Sequence, residues 1–353
     1  MDISMILTTT IGSYPKPGYL KIPDWFQGEK GTDAEYPTKG WDEAIKSLGS
    51  DFEAIINKAT QEIISDQIEC GVDIITDGEV RRENYIHYHC RFLKGIDFKN
   101  LTKKTARTGN YDCYLPTIIS KVESNKPFLS NEFKINQKFS SKPVKVTIPG
   151  PLTITDTIAD DYYKDNKKLG IDLSIAINNE VKILADSGCN YIQIDEPLFA
   201  RKTEEALNFG IENLERCFHG IPNEIEKIVH ICCGYPDKVD AINYPKAPVN
   251  SYNNLASYLE DSSINTISIE DAHRNNDLKL LEDFKTKKII FGLIKIASSE
   301  IEEVEEIRTR IKDCLNHIDA ERLIAAPDCG LGYLSRDMAK IKLKNLSAAA
   351  KSF

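Results

Sequence analysis

The sequence is short of positive charge. Lys and Arg number 45 against 54 Asp and Glu, a net charge of −9 over 353 residues. Without a basic block there is nothing to neutralise a phosphate backbone, so nucleic acid is not expected as a partner. There is no apolar run of about 18 residues, so no membrane span is expected. The opening MDISMILTTTIGSYP lacks a basic segment followed by an apolar one. It reads as a mature, cytoplasmic chain rather than a secreted one. No G-x-G-x-x-G and no P-loop pattern follows any candidate strand, which leaves nucleotide binding unsupported. The nine cysteines are an odd number spread over a long chain, unlike a disulfide framework. Cys70, Cys189 and Cys217 lie in apolar or helical surroundings and read as core packing.

What is present is a recurring unit: a short Ile- and Val-rich run, a polar turn, then a helical stretch. Eight candidate strands follow, Met5–Thr10, Val72–Thr76, Val144–Ile148, Tyr191–Ile194, Glu226–Ile231, Thr266–Ile269, Lys288–Leu293 and Arg322–Ala326. Helical periodicity fills the gaps at Asp51–Cys70, Ile171–Ala185, Glu300–Ile318 and Arg336–Lys351. In the third of these the acidic run reads as a solvated face, with Glu306 four residues before Arg310. Eight such units predict an α/β fold, a (β/α)8 TIM barrel forming one catalytic domain over residues 1–353. A doubly wound open sheet is the alternative. The stretch of about 84–142, after the second strand, is too long for a simple turn. It predicts a lid-like insertion of a hairpin or extra helices over the barrel mouth, and residues 18–49 predict a second loop there.

The polar signatures cluster directly after the strands: Ile11-Gly12-Ser13, Asp77-Gly78-Glu79, Pro149-Gly150-Pro151, Asp195-Glu196-Pro197, His230-Ile231-Cys232-Cys233, Glu270-Asp271 and Pro327-Asp328-Cys329-Gly330. In a parallel barrel these ends share one face, where barrel enzymes keep their sites. His230 and Cys232 alternate on a strand and point the same way, while Cys233 points to the other side and reads as packing. With Cys329 and Glu270 at neighbouring strand ends, one imidazole, two thiolates and one carboxylate match a tetrahedral Zn2+ site. His273, in the loop after Glu270, reads as a surface or supporting residue. Two thiolates and a carboxylate outweigh the zinc charge by one. Such a site is a poor activator of water and a good holder of a substrate thiol. Glu79 and Asp195 suit an ammonium group, and the amides around Gly12 and Ser13 suit a carboxylate. Turn and capping roles are the plainer readings of the same segments. His87 and His89 read as structural.

At these residues the chain resembles the catalytic, carboxy-terminal barrel of cobalamin-independent methionine synthase, in its single-barrel branch. The matching pieces are TTTIGSYP from Thr8, GVDIITDGEVRREN from Gly71, IPGPLTI from Ile148, YIQIDEP from Tyr191, HICC from His230, SIED from Ser268 and PDCGLG from Pro327. The resemblance implies zinc at His230, Cys232, Glu270 and Cys329. It implies homocysteine held by Ile11, Gly12 and Ser13 through its carboxylate and by Glu79 and Asp195 through its amino group. The expected activity is methyl transfer to homocysteine, from methyltetrahydrofolate, a methyl-corrinoid protein or another small methyl compound.

The departures lie on the donor side. The family's folate-contacting Arg-Cys pair aligns with Asp112-Cys113 and its pterin-stacking Trp with Thr157. A Glu of the family becomes Arg201. Its proton-donating His falls at Ala297, with Lys295 where an Asp would lie. Two other readings remain open here. One is alkyl transfer to another thiol, as in the epoxyalkane–coenzyme M transferases, although coenzyme M has no amino group for two carboxylates to grip. The other is a zinc-stabilised binding protein without catalysis.

Overall fold

A computed structural model of the chain describes residues 6–28, 30–106, 111–241 and 244–353. Its centre is an eight-stranded parallel sheet, with strands numbered here as β1 (Leu7–Thr8), β2 (Ile75–Thr76), β3 (Val144–Pro149), β4 (Tyr191–Asp195), β5 (Glu226–Ile231), β6 (Thr266–Ile269), β7 (Lys288–Ile294) and β8 (Leu323–Pro327). The order across the sheet is β1-β8-β7-β6-β5-β4-β3-β2. A parallel bridge between Thr9 and Ile74 joins the two ends, curling the sheet into a TIM barrel.

Leu7 of β1 is exposed, but the strands from β2 onward are buried on both faces over most of their length, and β3 illustrates the logic. Val144, Val146 and Ile148 pack outward into the main core under the helices. Lys145 and Thr147, of opposite parity, are also buried and face the barrel interior. The helices carry their own stop and start signals. Asp165 accepts from the Lys167 and Lys168 amides to cap α1 (Asn166–Asp186).

The sequence-based bounds hold for the long elements and slip at the short ones. Met5 lies outside the described residues, and the first two strands shrink to two residues each. The acidic helix begins at Val304, not Glu300. Glu302 is buried and accepts from the Lys295 amide and from Lys342 Nζ, at 2.8 and 2.9 Å, so it cannot sit on a solvated helix face. Arg310 pairs with Asp271, Nε to Oδ2 at 2.8 Å, rather than with Glu306.

Between β2 and β3 run a short helix, Tyr85–Cys90, a long antiparallel hairpin of Leu93–Ala106 and Tyr111–Ser124, and a helix, Leu129–Lys138. The hairpin is tied to the loop that follows β1. The Tyr114 amide donates to the Glu35 carbonyl at 2.8 Å, and the Tyr114 and Tyr36 rings stack with centroids 4.7 Å apart. Lys104, from the hairpin's first strand, donates to the carbonyls of Asp156 and Ile158. These contacts bring both long loops over the carboxyl ends of the strands.

Candidate active site

β5 sets the centre of the site. His230 lies beside Asp195 of β4 and Ser268 of β6 in register, and Cys232 follows two residues later. Parity then sends Cys232 inward with His230 and Cys233 into the outer core, where it is fully buried. Cys329 arrives from the end of β8. The ligand atoms of His230, Cys232 and Cys329 all lie within 4.8 Å of one another. His230 Nε2 is 3.3 Å from Cys329 Sγ, and His230 Nδ1 is 2.8 Å from Ser268 Oγ. If Nδ1 carries the proton and donates to Ser268, Nε2 presents its lone pair to the two sulfurs, the tautomer that metal ligation requires. Glu270 stands outside this group of three, but its Oε1 accepts from Cys232 Sγ at 2.9 Å. The donor set therefore fits a tetrahedral metal ion with one imidazole and two sulfurs, with a carboxylate adjoining.

Electrostatics agree with that fit. Burial, helped by the Lys145 charge, pushes His230 down to about 3, so its ring is neutral. The hydrogen bond shared with Cys329, then burial, holds the Cys232 thiol well above its usual range. Cys329 is eased by that same bond, yet burial and Glu270 leave it raised as well. Two thiols and a carboxyl crowded into one dry corner hold their protons until a cation replaces them.

Beside this cluster lies a cavity of about 1170 Å³, its open mouth included, lined among others by Ile11, Gly12, Ser13, Glu79, Asp195, His230, Cys232 and Cys329. Eight of the nine site residues expected from sequence thus line one cavity. Glu270 sits behind Cys232. Glu79 occupies a left-handed backbone conformation, φ 55°. Gly78 before it is also left-handed, and a Cβ there would meet Ile63 Cγ2 at 2.7 Å. The turn is therefore strained in a way that aims Glu79 inward. Its Oε1 accepts from Thr147 Oγ1 at 2.9 Å and Arg82 Nη1 at 3.2 Å. Burial nonetheless pushes the Glu79 carboxyl up, against the pull of Arg82. Gly12 must lack a side chain, because a Cβ would lie 2.7 Å from Glu79 Oε1. Among the described residues, no protein acceptor takes the Gly12 or Ser13 amide hydrogen.

Asp195 closes the other side. Burial, and then the neighbouring Glu79, push its carboxyl up to about 8. Gln193 Nε2 donates both to Asp195 Oδ1 at 2.7 Å and to the Ile11 carbonyl at 3.0 Å, linking the β4 end to the turn after β1. Glu196, the next residue, has a structural task. It accepts from the Leu152 and Thr153 amides and from Thr153 Oγ1, capping the helix Pro151–Thr157. The capping reading of Asp-Glu-Pro thus applies to Glu196, on a helix from a different strand, and not to Asp195.

Three supporting residues were not singled out from sequence: Arg82, Gln193 and Lys145. Arg82 stands three residues after Glu79 in the quoted GVDIITDGEVRREN piece, and Gln193 two before Asp195, so spacing could have found them. Lys145 shows only as a lone charge in an apolar strand. It is 1% exposed, its Nζ has no protein partner, and burial pushes it down to about 7 against the attraction of Asp195.

The segments that follow or are inserted between the strands supply further lining: Trp25, Phe26, Tyr85, His87, Cys113, Leu115, Asp156, Thr157 and Arg201. His87 Nε2 donates to the Thr157 carbonyl at 2.9 Å, and burial pushes its ring down to about 4. His89 bonds the Tyr85 carbonyl through Nδ1. His87 also lines the cavity, and His87 Nδ1 and His89 Nε2 are buried and, among the described residues, without a partner. Asp112 lies outside the cavity lining and pairs with Lys103 at 2.7 Å. Ala297 is buried in the core, Lys295 pairs with Glu300, and neither lines the cavity. His273 Nε2 accepts from the Ile296 amide at 3.1 Å, a supporting role.

Comparison with known proteins gives a concordant picture. A family described as "Cobalamin-independent synthase, Catalytic domain" matches residues 6–352. A methionine synthase of Saccharolobus islandicus is 30% identical over 354 residues, covering 99% of this chain and 95% of its own. One from Pyrococcus furiosus is 28% identical over 353 residues, covering 99% and 94%. Among solved structures, a B12-independent methionine synthase from Shewanella sp. W3-18-1 in complex with selenomethionine superposes with a TM-score of 0.83. It is 30% identical and covers 99% of this chain and 97% of its own. A Listeria monocytogenes protein of 18% identity, TM-score 0.72, shares the fold.

Proposed function

The chain belongs to the cobalamin-independent methionine synthase family, in its catalytic domain, and from that premise we propose that it is a cytoplasmic, zinc-dependent S-methyltransferase that converts homocysteine to methionine. The observation that carries this reading is the convergence of His230, Cys232 and Cys329 on the wall of a cavity that also holds Asp195, Glu79, Gly12 and Ser13. We assign zinc to His230, Cys232 and Cys329, with Glu270 as the fourth and most replaceable ligand. Zinc bound there would favour the thiolate form of the acceptor's sulfur and leave it nucleophilic.

The chain's own residues do the positioning. An incoming ammonium meets Asp195 and Glu79. Its positive charge draws Asp195, whose carboxyl burial and Glu79 push up to about 8, back to the charged form. The Gly12 and Ser13 amides offer two donors for the acceptor's carboxylate. With three points of the amino acid fixed, its sulfur is presented to the donor side in one orientation, which is the entropic part of the rate enhancement. The aromatic residues Trp25, Phe26 and Tyr85 in the cavity lining would exclude water from the transfer, and the hairpin, tied to the same loop after β1 at Glu35 and Tyr36, would act as a lid.

A pair of buried carboxylates is a costly device for a thiol without an amino group, and this weighs against coenzyme M as acceptor. On the donor side, methyltetrahydrofolate, a methyl-corrinoid protein and another small methyl compound are the candidates. The test is to incubate zinc-loaded protein with homocysteine and each donor and to follow methionine by mass spectrometry. No methionine with methyltetrahydrofolate, a methyl-corrinoid or a panel of small methyl compounds, from protein of full zinc content that binds homocysteine, would refute the assignment.

A further inference from the structure

Glu270 and Cys329 follow strands that are not neighbours. Glu270 comes directly after β6 and Cys329 two residues after β8, and β7 runs between those strands. Asp328, the residue before Cys329, spans the gap. It is fully buried, and its carboxylate accepts three consecutive amide hydrogens from the segment after Glu270. Asp271 and Ala272 donate to Oδ1, both at 2.9 Å, and His273 donates to Oδ2 at 2.7 Å. The crossing passes over Gly292 of β7, where a Cβ would collide with Asp328 Oδ1. Among the described residues no other group accepts from the Asp271 and His273 amides.

The same segment is held from its other side. The Tyr252 hydroxyl accepts from the Glu270 amide at 2.9 Å and donates to the Ile231 carbonyl, between His230 and Cys232, at 2.8 Å. The Glu270 backbone is therefore fastened to the His230 and Cys232 strand through Tyr252, and to the Cys329 strand through Asp328. Tyr252 makes one bond to the segment and Asp328 makes three. A carboxylate suits that task because it offers acceptors only. An amide in its place would turn an NH2 group toward one of the N–H donors.

We propose that Asp328 is a positioning residue of the metal site, which sets the place of Glu270 relative to Cys329 by holding the segment after Glu270 across β7. This rests on the zinc assignment above and adds to it the reason why a ligand from β6 meets one from β8. A residue that orients a ligand without touching the ion shows itself in metal affinity. Its effect must also vanish when the ligand it orients is removed.

The test is a double-substitution cycle on zinc affinity, read by competition with a chelator in the wild type, D328N, E270Q and D328N/E270Q. D328N is expected to weaken zinc binding about 10–100-fold in the otherwise native protein. In the E270Q background the further loss is expected to stay under about threefold. Equal losses in both backgrounds would overturn the proposal, because Asp328 would then act by its charge or through the fold at large. No loss in D328N alone would overturn it too. Amide exchange in the zinc-loaded wild type needs no substitution and serves if a variant fails to fold. The Asp271 and His273 amides are expected to exchange as slowly as those of β6, and exchange at the rate of an exposed loop would overturn the brace. A wild type without stoichiometric zinc, or E270Q with wild-type affinity, would instead sink the zinc assignment itself.

Discussion

Replacing Lys145 with methionine should make the protein more stable, and the gain should depend on pH in a stated way. The Lys145 ammonium is sealed inside the barrel without a protein partner. A lysine that ordinarily holds its proton to 10.5 is brought down to about 7 here. That fall corresponds to about 5 kcal/mol of folding free energy. The sign is as follows. Between pH 7 and 10.5 the unfolded chain keeps this proton and the folded chain releases it, so stability rises with pH across that window. Below pH 7 both states are protonated and the whole penalty applies. Methionine has nearly the same length and no charge, so K145M removes the penalty and leaves the packing nearly unchanged. Part of the gain is offset by losing the attraction of Asp195. Urea unfolding at pH 6.5 should therefore show K145M more stable by about 2 kcal/mol or more, and the advantage should shrink steadily toward pH 10. A K145M protein that is less stable at pH 6.5, or whose advantage is the same at both ends of the range, would refute the reasoning.

Further outcomes follow from the site. Asp195→Asn keeps the shape and the Gln193 contact but cannot be charged. Calorimetry should show homocysteine binding weakened by about 1–3 kcal/mol, with a thiol acid lacking the amino group unaffected. Gly12→Ala sets a methyl 2.7 Å from Glu79 Oε1. It should abolish measurable homocysteine binding while metal content, read by atomic absorption, stays at the wild-type level. Ser268→Ala removes the partner of His230 Nδ1, and competition with a chelator should show metal affinity reduced about 10–100-fold.

The parts of this architecture readable from sequence are those set by periodicity and parity. The strands from β3 to β8 and the long helices follow from Ile and Val runs and from helical spacing. The inward turn of His230 and Cys232, and the outward turn of Cys233, follow from alternation along one strand. Three features could not be read that way. Around the two-residue strands β1 and β2, the Thr8, Thr9 and Thr10 hydroxyls donate to Asp73, the Ile74 carbonyl and Gln67, the Thr76 amide donates to Gln67 and its hydroxyl to the Gly12 carbonyl, so side chains take up bonding that a longer ladder would supply. Glu302 looks like one more acid in a solvated run, yet Lys342, 40 residues away, draws it inside. Glu196 caps a helix 43 residues earlier in the chain. In each case a side chain answers to a partner far along the chain, which no local pattern records.

The central claim is that a metal ion held by His230, Cys232 and Cys329 receives the acceptor's sulfur, and X-ray absorption at the zinc edge tests it most directly. Purified protein should carry one zinc per chain with two sulfur ligands, and saturating homocysteine should raise that number to three. Absence of stoichiometric zinc, or a sulfur count unchanged by homocysteine, would contradict the account.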